Sequence, residues 1–398
     1  MHNFFDLVGY EYKKILKRKS VWVMLVLGVL IAVVTCAGVL IGDYYEDGIA
    51  FESQYEGMIK DRTYARKLAG RLLDKDLLIE AAEGYRKVPT EGEYYFTTKE
   101  YQTYARPYSK VRMYIRGVYD KHIASLTEED ASNFYTIRDE KLKKEIEDTH
   151  LNKHSKQKLN DLNAQIKKPF VYDYIEGYNR FLVIMYTTAI IGSFIAAICV
   201  APIFAGEYIS GADQLVLASI HGKKTLIWAK IFTGISLSIL FCLSLIVITY
   251  LQCMFTYGFD GADAVWQLLM PMSPYPLTIG EVALIFVICI LCANLFCTMI
   301  TLFLSAKLKT PFGVTTIIVT IIIAPMFISI LQSNVMLYNL FNLMPSNMME
   351  VWRVTSPILY EIFNISVQPY ILMPVFAVIA TSALVPFTYY GFKKHQIG

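Results

Sequence analysis

No aspartate, glutamate, lysine or arginine occurs from Val21 to Ile41, and the same holds for 181–205, 231–255, 282–305, 312–331 and 371–390. With 55% hydrophobic and 18% charged residues, the 398-residue chain segregates its charge, whereas a soluble domain spreads it. The polar segment 43–180 has no cysteine: Cys36, Cys199, Cys242, Cys253, Cys289, Cys292 and Cys297 all lie in apolar runs. A disulfide scaffold is thereby excluded from 43–180, and the cysteines read as small buried hydrophobes. There is no G-x-x-x-x-G-K-[ST] loop, so the chain lacks the usual phosphate cradle for a nucleotide. H-E-x-x-H and G-x-S-x-G are also missing, which removes the common metallopeptidase and serine-hydrolase signatures. His150 and His154 stand four apart, but no third metal ligand accompanies them. A net charge of +3 does not suit a nucleic-acid binder. No apolar run holds an ionisable residue inside it, which argues against a transporter powered by protons or ions.

What is present is six runs of membrane-crossing length. Val21–Ile41 reaches about 31 Å as a helix rising ~1.5 Å per residue. Phe181–Ala205, Ile231–Phe255, Val282–Ser305, Phe312–Leu331 and Ile371–Tyr390 are the others. Backbone polar groups in lipid must be satisfied internally, so each run reads as a helix. The expected fold class is therefore an all-α polytopic membrane protein: six transmembrane helices plus a mainly helical extracytoplasmic domain. The first run is long for a cleaved leader and no A-x-A site follows it, so it reads as a retained anchor. Lys13, Lys14, Lys17, Arg18 and Lys19 precede it. Alternating spans bring Lys223, Lys224, Lys230, Lys307, Lys309, Lys393 and Lys394 to that same side. The opposite loops are poor in base, with none in 256–281 and only Arg353 in 332–369. This bias predicts a plasma-membrane protein with both termini in the cytoplasm.

Four regions follow: a cytoplasmic interfacial helix at 1–20, a first span at 21–41, an extracytoplasmic domain at 42–180, and five spans over 181–398. The last region carries a cytoplasmic loop at 206–230 and an external loop at 332–369. In the first region Phe4, Phe5, Val8, Tyr12, Ile15 and Leu16 recur at helical spacing, while Glu11, Lys13 and Lys14 fill other faces. Such a helix lies on membrane lipid, held by attraction between its bases and lipid phosphates. Within 42–180, Thr127 is an N-cap followed by acids and then bases, which reads as a solvated helix with charge pairs four apart. Tyr101, Tyr104, Tyr108, Val111, Tyr114 and Val118 keep a helical period and suggest a tyrosine-lined core; a surface for amphipathic ligands is the alternative.

The loop AGEYISGADQLVLASIHGKK, Ala205 to Lys224, is richer than a chain reversal needs. Asp213 can start a short amphipathic helix whose Leu215 and Leu217 offer an apolar face, and Gly222 can end it before Lys223 and Lys224. Glu207, Gly211, Leu215, Leu217, Lys223, Lys224 and Lys230 form a pattern that resembles the coupling loop of type-2 ABC exporter permeases. The basic N-terminal helix with Glu11 and the six-span plan resemble that family too. Thr and Pro, frequent there in the loop, are replaced here by Ala212 and by Ile220–His221. The resemblance implies a permease without its own nucleotide site, two of whose copies, or this chain and a homologous permease, pair above two ATPase subunits that bind ATP and Mg. It implies ATPase coupling through Glu207, Gly211, Asp213, Leu217, Lys223, Lys224 and Lys230, assisted by Glu11, Lys13 and Lys14. Asn294, Thr315, Thr316 and Thr320 are candidates for a substrate route, or for helix packing. The large domain at 42–180 resembles that of permeases expelling amphipathic peptides or antibiotics. Export of a lipid, a lipid-linked glycan or sodium, and sensing of external peptides, are the rival readings.

Overall fold

The computed structural model describes residues 4–46, 49–89, 95–214, 224–363 and 365–394. It begins with α1 (Phe4–Leu16), whose Val8, Glu11 and Ile15 face inward while Phe5 and Tyr10 are exposed. Next comes α2 (Lys19–Gly38), uniformly apolar. The polar domain then opens with an antiparallel hairpin of β1 (Asp43–Glu46) and β2 (Ile49–Ser53). Among the described residues six α-helices follow, with short 3₁₀ and π turns between them: α3 (Gln54–Leu68), α4 (Lys75–Arg86), α5 (Ser109–Val118), α6 (Glu128–Ser132), α7 (Phe134–Glu147) and α8 (Lys153–Ala164). The chain then enters the bundle through α9 (Glu176–Val200), α10 (Pro202–Ser210), α11 (Thr225–Tyr257), α12 (Ile279–Lys307) and α13 (Pro311–Ile323). Short helices α14 (Val335–Asn342) and α15 (Val351–Val354) and a hairpin of β3 (Tyr360–Ile362) and β4 (Ile365–Val367) precede the final α16 (Pro369–Lys393).

Five helical segments among the described residues are long and apolar enough to cross a membrane: α2, α9 continued by α10, α11, α12 and α16. The expected run 312–331 is shorter than foreseen, with apolar helix only over Pro311–Phe327. Pro325 has no amide hydrogen and crowds the carbonyl four residues back. The last turn there tightens into a 3₁₀ turn at Ala324–Phe327, and Ile328 is extended. Around α12 the bundle packs α9, α11 and α16, with Phe286, Ile290, Ala293 and Cys297 at its centre.

The polar domain has its own core, in which Leu77, Leu78 and Ala81 of α4 meet Val111, Tyr114 and Ile115 of α5 and Phe134 of α7. Buried Tyr85, Tyr114, Tyr119, Tyr172 and Tyr174 line it; of the tyrosines spaced at 101, 104, 108 and 114, Tyr114 is buried, Tyr101 and Tyr108 pack against the core half-buried, and Tyr104 is exposed. Thr127 caps α6 through a capping box with Asp130. The domain is tied to the bundle's loops. Arg138, fully buried, donates to the carbonyls of Pro271 (2.7 Å) and Ser273 (2.9 Å). Ser155 donates to Glu361 Oε1 at 2.7 Å, and its hydroxyl also pairs with that of Ser366.

Acid should loosen this domain. Burial would raise the pKa of Glu52, but bonds from Lys60 and Arg106 outweigh it and hold the carboxyl below its usual 4.5. Burial would likewise raise Asp139, but bonds from Lys168 and Asn163 outweigh it and hold the carboxyl below its usual 3.8. Lowered folded values mean stability that is complete above the unfolded pKa and lost as the pH falls through the folded one. Thermal unfolding followed by tyrosine near-ultraviolet circular dichroism is therefore expected to be steady from pH 7 to about 5 and to weaken below about 4. A midpoint unchanged at pH 3 would contradict this.

Candidate functional site

Glu11 and Lys14 stand three apart on α1 and so share one face of it. Glu207 lies on α10 and Lys230 in the first turns of α11. The four meet at the end of the bundle away from the polar domain. Lys230, fully buried, donates from Nζ to Glu11 Oε1 at 2.8 Å, to Glu207 Oε1 at 2.6 Å and to the Ile203 carbonyl at 3.3 Å. Lys14 reaches Glu207 from the exposed side of α1 and completes the cluster. Glu11 and Glu207 are 6% and 3% exposed. Two carboxylates and two ammonium groups leave no net charge, and each buried charge has partners that offset its lost hydration.

Local backbone chemistry places Glu207. Pro202 begins α10 directly after α9 and cannot donate a hydrogen bond, so the ladder breaks there. Ser305 of α12 repairs the break. Its hydroxyl donates to the Ala201 carbonyl at 2.6 Å and accepts from the amides of Phe204 and Ala205 at 3.1 and 3.0 Å. In an apolar bundle such orphaned groups must find an internal partner. At the other end Gly211 is left-handed, with φ +67°, and its amide closes α10 onto the carbonyls of Glu207 and Tyr208. Tyr208 donates to the Ala306 carbonyl at 2.8 Å, and Tyr12 pairs with Ser236 at 2.7 Å. Thus α1, α10, α11 and α12 are cross-tied around the charges.

Asp213 is buried just beyond Gly211, while Lys13 and Lys224 are exposed. Leu215, Leu217 and Lys223 lie outside the described residues. Asn294 is fully buried, accepting from Ser193 Oγ at 3.1 Å and donating to Ser238 Oγ at 2.9 Å, which makes it a tie between three helices. Thr315, Thr316 and Thr320 each donate to the carbonyl four residues back on α13. Thr316 and Thr320 face outward, so the four candidates for a substrate route are not brought together within one chain. The role of Ser305 was not foreseen. The available signal was Pro202 inside an apolar run, which demands a nearby acceptor and donor.

Chemically the cluster is a set of ion pairs: each carboxylate is held by an ammonium group, and Lys230 bridges the two. Its ties link α10 to α1 and α11. A family model described as ABC-2 family transporter protein matches residues 6–366, a range that includes all four charged residues. Comparison with curated proteins and with solved structures returned no match.

Proposed function

The chain belongs to the ABC-2 transporter family, and from that premise we propose that it is the permease subunit of an ATP-driven exporter in a bacterial plasma membrane. Two ATPase subunits, which bind ATP and Mg, dock on the face bearing α1 and the loop after α10. A second copy or a homologous permease completes the complex. Both termini and the loop 206–230 lie in the cytoplasm, 42–180 lies outside, and α13 serves as a sixth span. The cargo is an amphipathic peptide, antibiotic or similar hydrophobic compound, moving between the two permeases along α9 and α13.

The observation that carries this reading is the buried contact of Lys230 with Glu11 and Glu207. It ties α10, from which the loop continues, to two other helices, which an energy-transmitting contact requires and a simple chain reversal does not. ATPase closure displaces the loop, and the cluster makes α1, α10 and α11 move together. Glu207→Ala is expected to leave membrane insertion and basal ATP hydrolysis intact. Cargo-stimulated hydrolysis by the assembled complex should fall about tenfold, the range of a typical coupling energy. Full stimulation in that variant would remove the role assigned to Glu207. Hydrolysis of ATP by the purified chain alone would overturn the reading as a whole.

A further inference from the structure

Where α2 ends, α9 begins and α11 ends, an open recess lies beneath the polar domain. Its floor is an ion triad. Glu176, 6% exposed, accepts from Lys110 Nζ through Oε2 and from Arg180 Nε through Oε1, both at 2.8 Å. Tyr257 also lines it, 1% exposed, and its hydroxyl has no hydrogen-bond partner among the described residues. The Arg180 guanidinium stands 5.5 Å from the centroid of that ring. Val39 and Met58 supply an apolar wall. Val39 continues into the exposed apolar surface of α2, which includes Val34 and Leu30.

The balance of donors and acceptors selects the guest. Both oxygens of Glu176 are taken, and Oδ1 of Asp61 at the rim accepts from Arg106 Nε at 2.7 Å. The donors left for a guest are the terminal guanidinium nitrogens of Arg180, the remaining protons of Lys110 and the Tyr257 hydroxyl, while the second oxygen of Asp61 stands at the rim as an acceptor. A buried hydroxyl without a partner is destabilising, so phenylalanine would serve better if packing were its whole task. An arginine fork beside a phenol suits an oxyanion, which it can grip with two parallel bonds. The three helix ends and the tyrosines around them mark the level of lipid headgroups.

We propose that this recess binds an amphiphile with an oxyanionic headgroup, phosphate or carboxylate, whose aliphatic tail runs past Met58 and Val39 onto α2. The headgroup bridges Arg180 and the Tyr257 hydroxyl, with Lys110 beside it. The source is either a lipid of the surrounding leaflet or a free amphiphile. The site needs no ATPase, so its test is independent of the coupling role of Glu207.

The experiment uses the full chain in neutral-lipid nanodiscs, read by native mass spectrometry. Dioctanoyl phosphatidylglycerol is expected to bind one per chain, about tenfold more tightly than dioctanoylglycerol, which lacks the oxyanion. Tyr257→Phe should weaken it about threefold to tenfold, as loss of one hydrogen bond does, while leaving the thermal midpoint unchanged or higher. Arg180→Lys, which keeps the charge opposite Glu176 but loses the fork, should weaken it similarly. A second arm supplies monododecyl phosphate from solution. Binding of the phospholipid alone assigns a membrane source, binding of the soluble amphiphile assigns a free one, and either supports the proposal. Equal affinity for dioctanoylglycerol, undiminished binding by Tyr257→Phe, or displacement by inorganic phosphate at equal concentration would overturn it.

Discussion

Replacing Lys230 with methionine is expected to destabilise the bundle by about 3–5 kcal/mol, because it strands two buried carboxylates that share one cation. Glu11 then faces Glu207 across the space where Nζ sat, and neither can recover water, since both are almost wholly enclosed. Lys14 still reaches Glu207 but is itself about half exposed, so it cannot replace a fully buried partner. The measurement is the thermal unfolding of the detergent-solubilised chain, together with cargo-stimulated hydrolysis in the complex; both should fall. Lys230→Met with Glu11→Gln restores the count to one cation and one carboxylate, Lys14 and Glu207. Residues in one network are not additive, so the double variant should be more stable than the single one. A Lys230→Met protein that melts like wild type would show that the cluster holds nothing.

The members of this cluster were legible as residues but not as a cluster. Glu207 and Lys230 stand out in the sequence because each borders an apolar run, and Glu11 and Lys14 because they fill polar faces of an amphipathic helix. Their meeting was not legible, since Lys230 and Glu11 are 219 positions apart and only packing brings them together. The five long helices followed from hydropathy alone, because the cost of an unpaired amide in lipid leaves few options. The short sixth was overestimated, since hydropathy gives Pro325 no weight for breaking the ladder. Ser305 escaped notice for the same reason: its value depends on a gap left by Pro202 in another helix. Gly211 was read within a loop motif, and its left-handed backbone gives that position a physical cause.

Arg138→Met is expected to loosen the polar domain from the loop between α11 and α12, leaving its tie through Ser155 to Glu361 in place. The stretch around it reads as a solvated helix by charge, yet Phe134, Arg138, Leu142 and Ile146 repeat every four residues and are all buried. Arg138 therefore occupies a position in the apolar stripe, which a count of charges conceals. Its guanidinium donates to Pro271 and Ser273 carbonyls, to Asn163 Oδ1 and to Asp139 Oδ1, and lies 5.7 Å from the Phe170 ring centroid. Methionine fills much of the volume but leaves the Pro271 carbonyl without its donor and the Ser273 carbonyl with Gln267 alone, a loss of about 3–5 kcal/mol for a buried charged network. The loss falls on the junction rather than on either core, because the stripe above and below remains apolar. Hydrogen exchange should thus rise in α7 and in 266–275, with α11 and α12 unchanged. Uniform loss of protection across the chain, or none at all, would show that Arg138 does not join the two parts. If the junction does yield alone, the domain rides on the loop between α11 and α12, and displacement of those helices at the charged end is carried to it through their length.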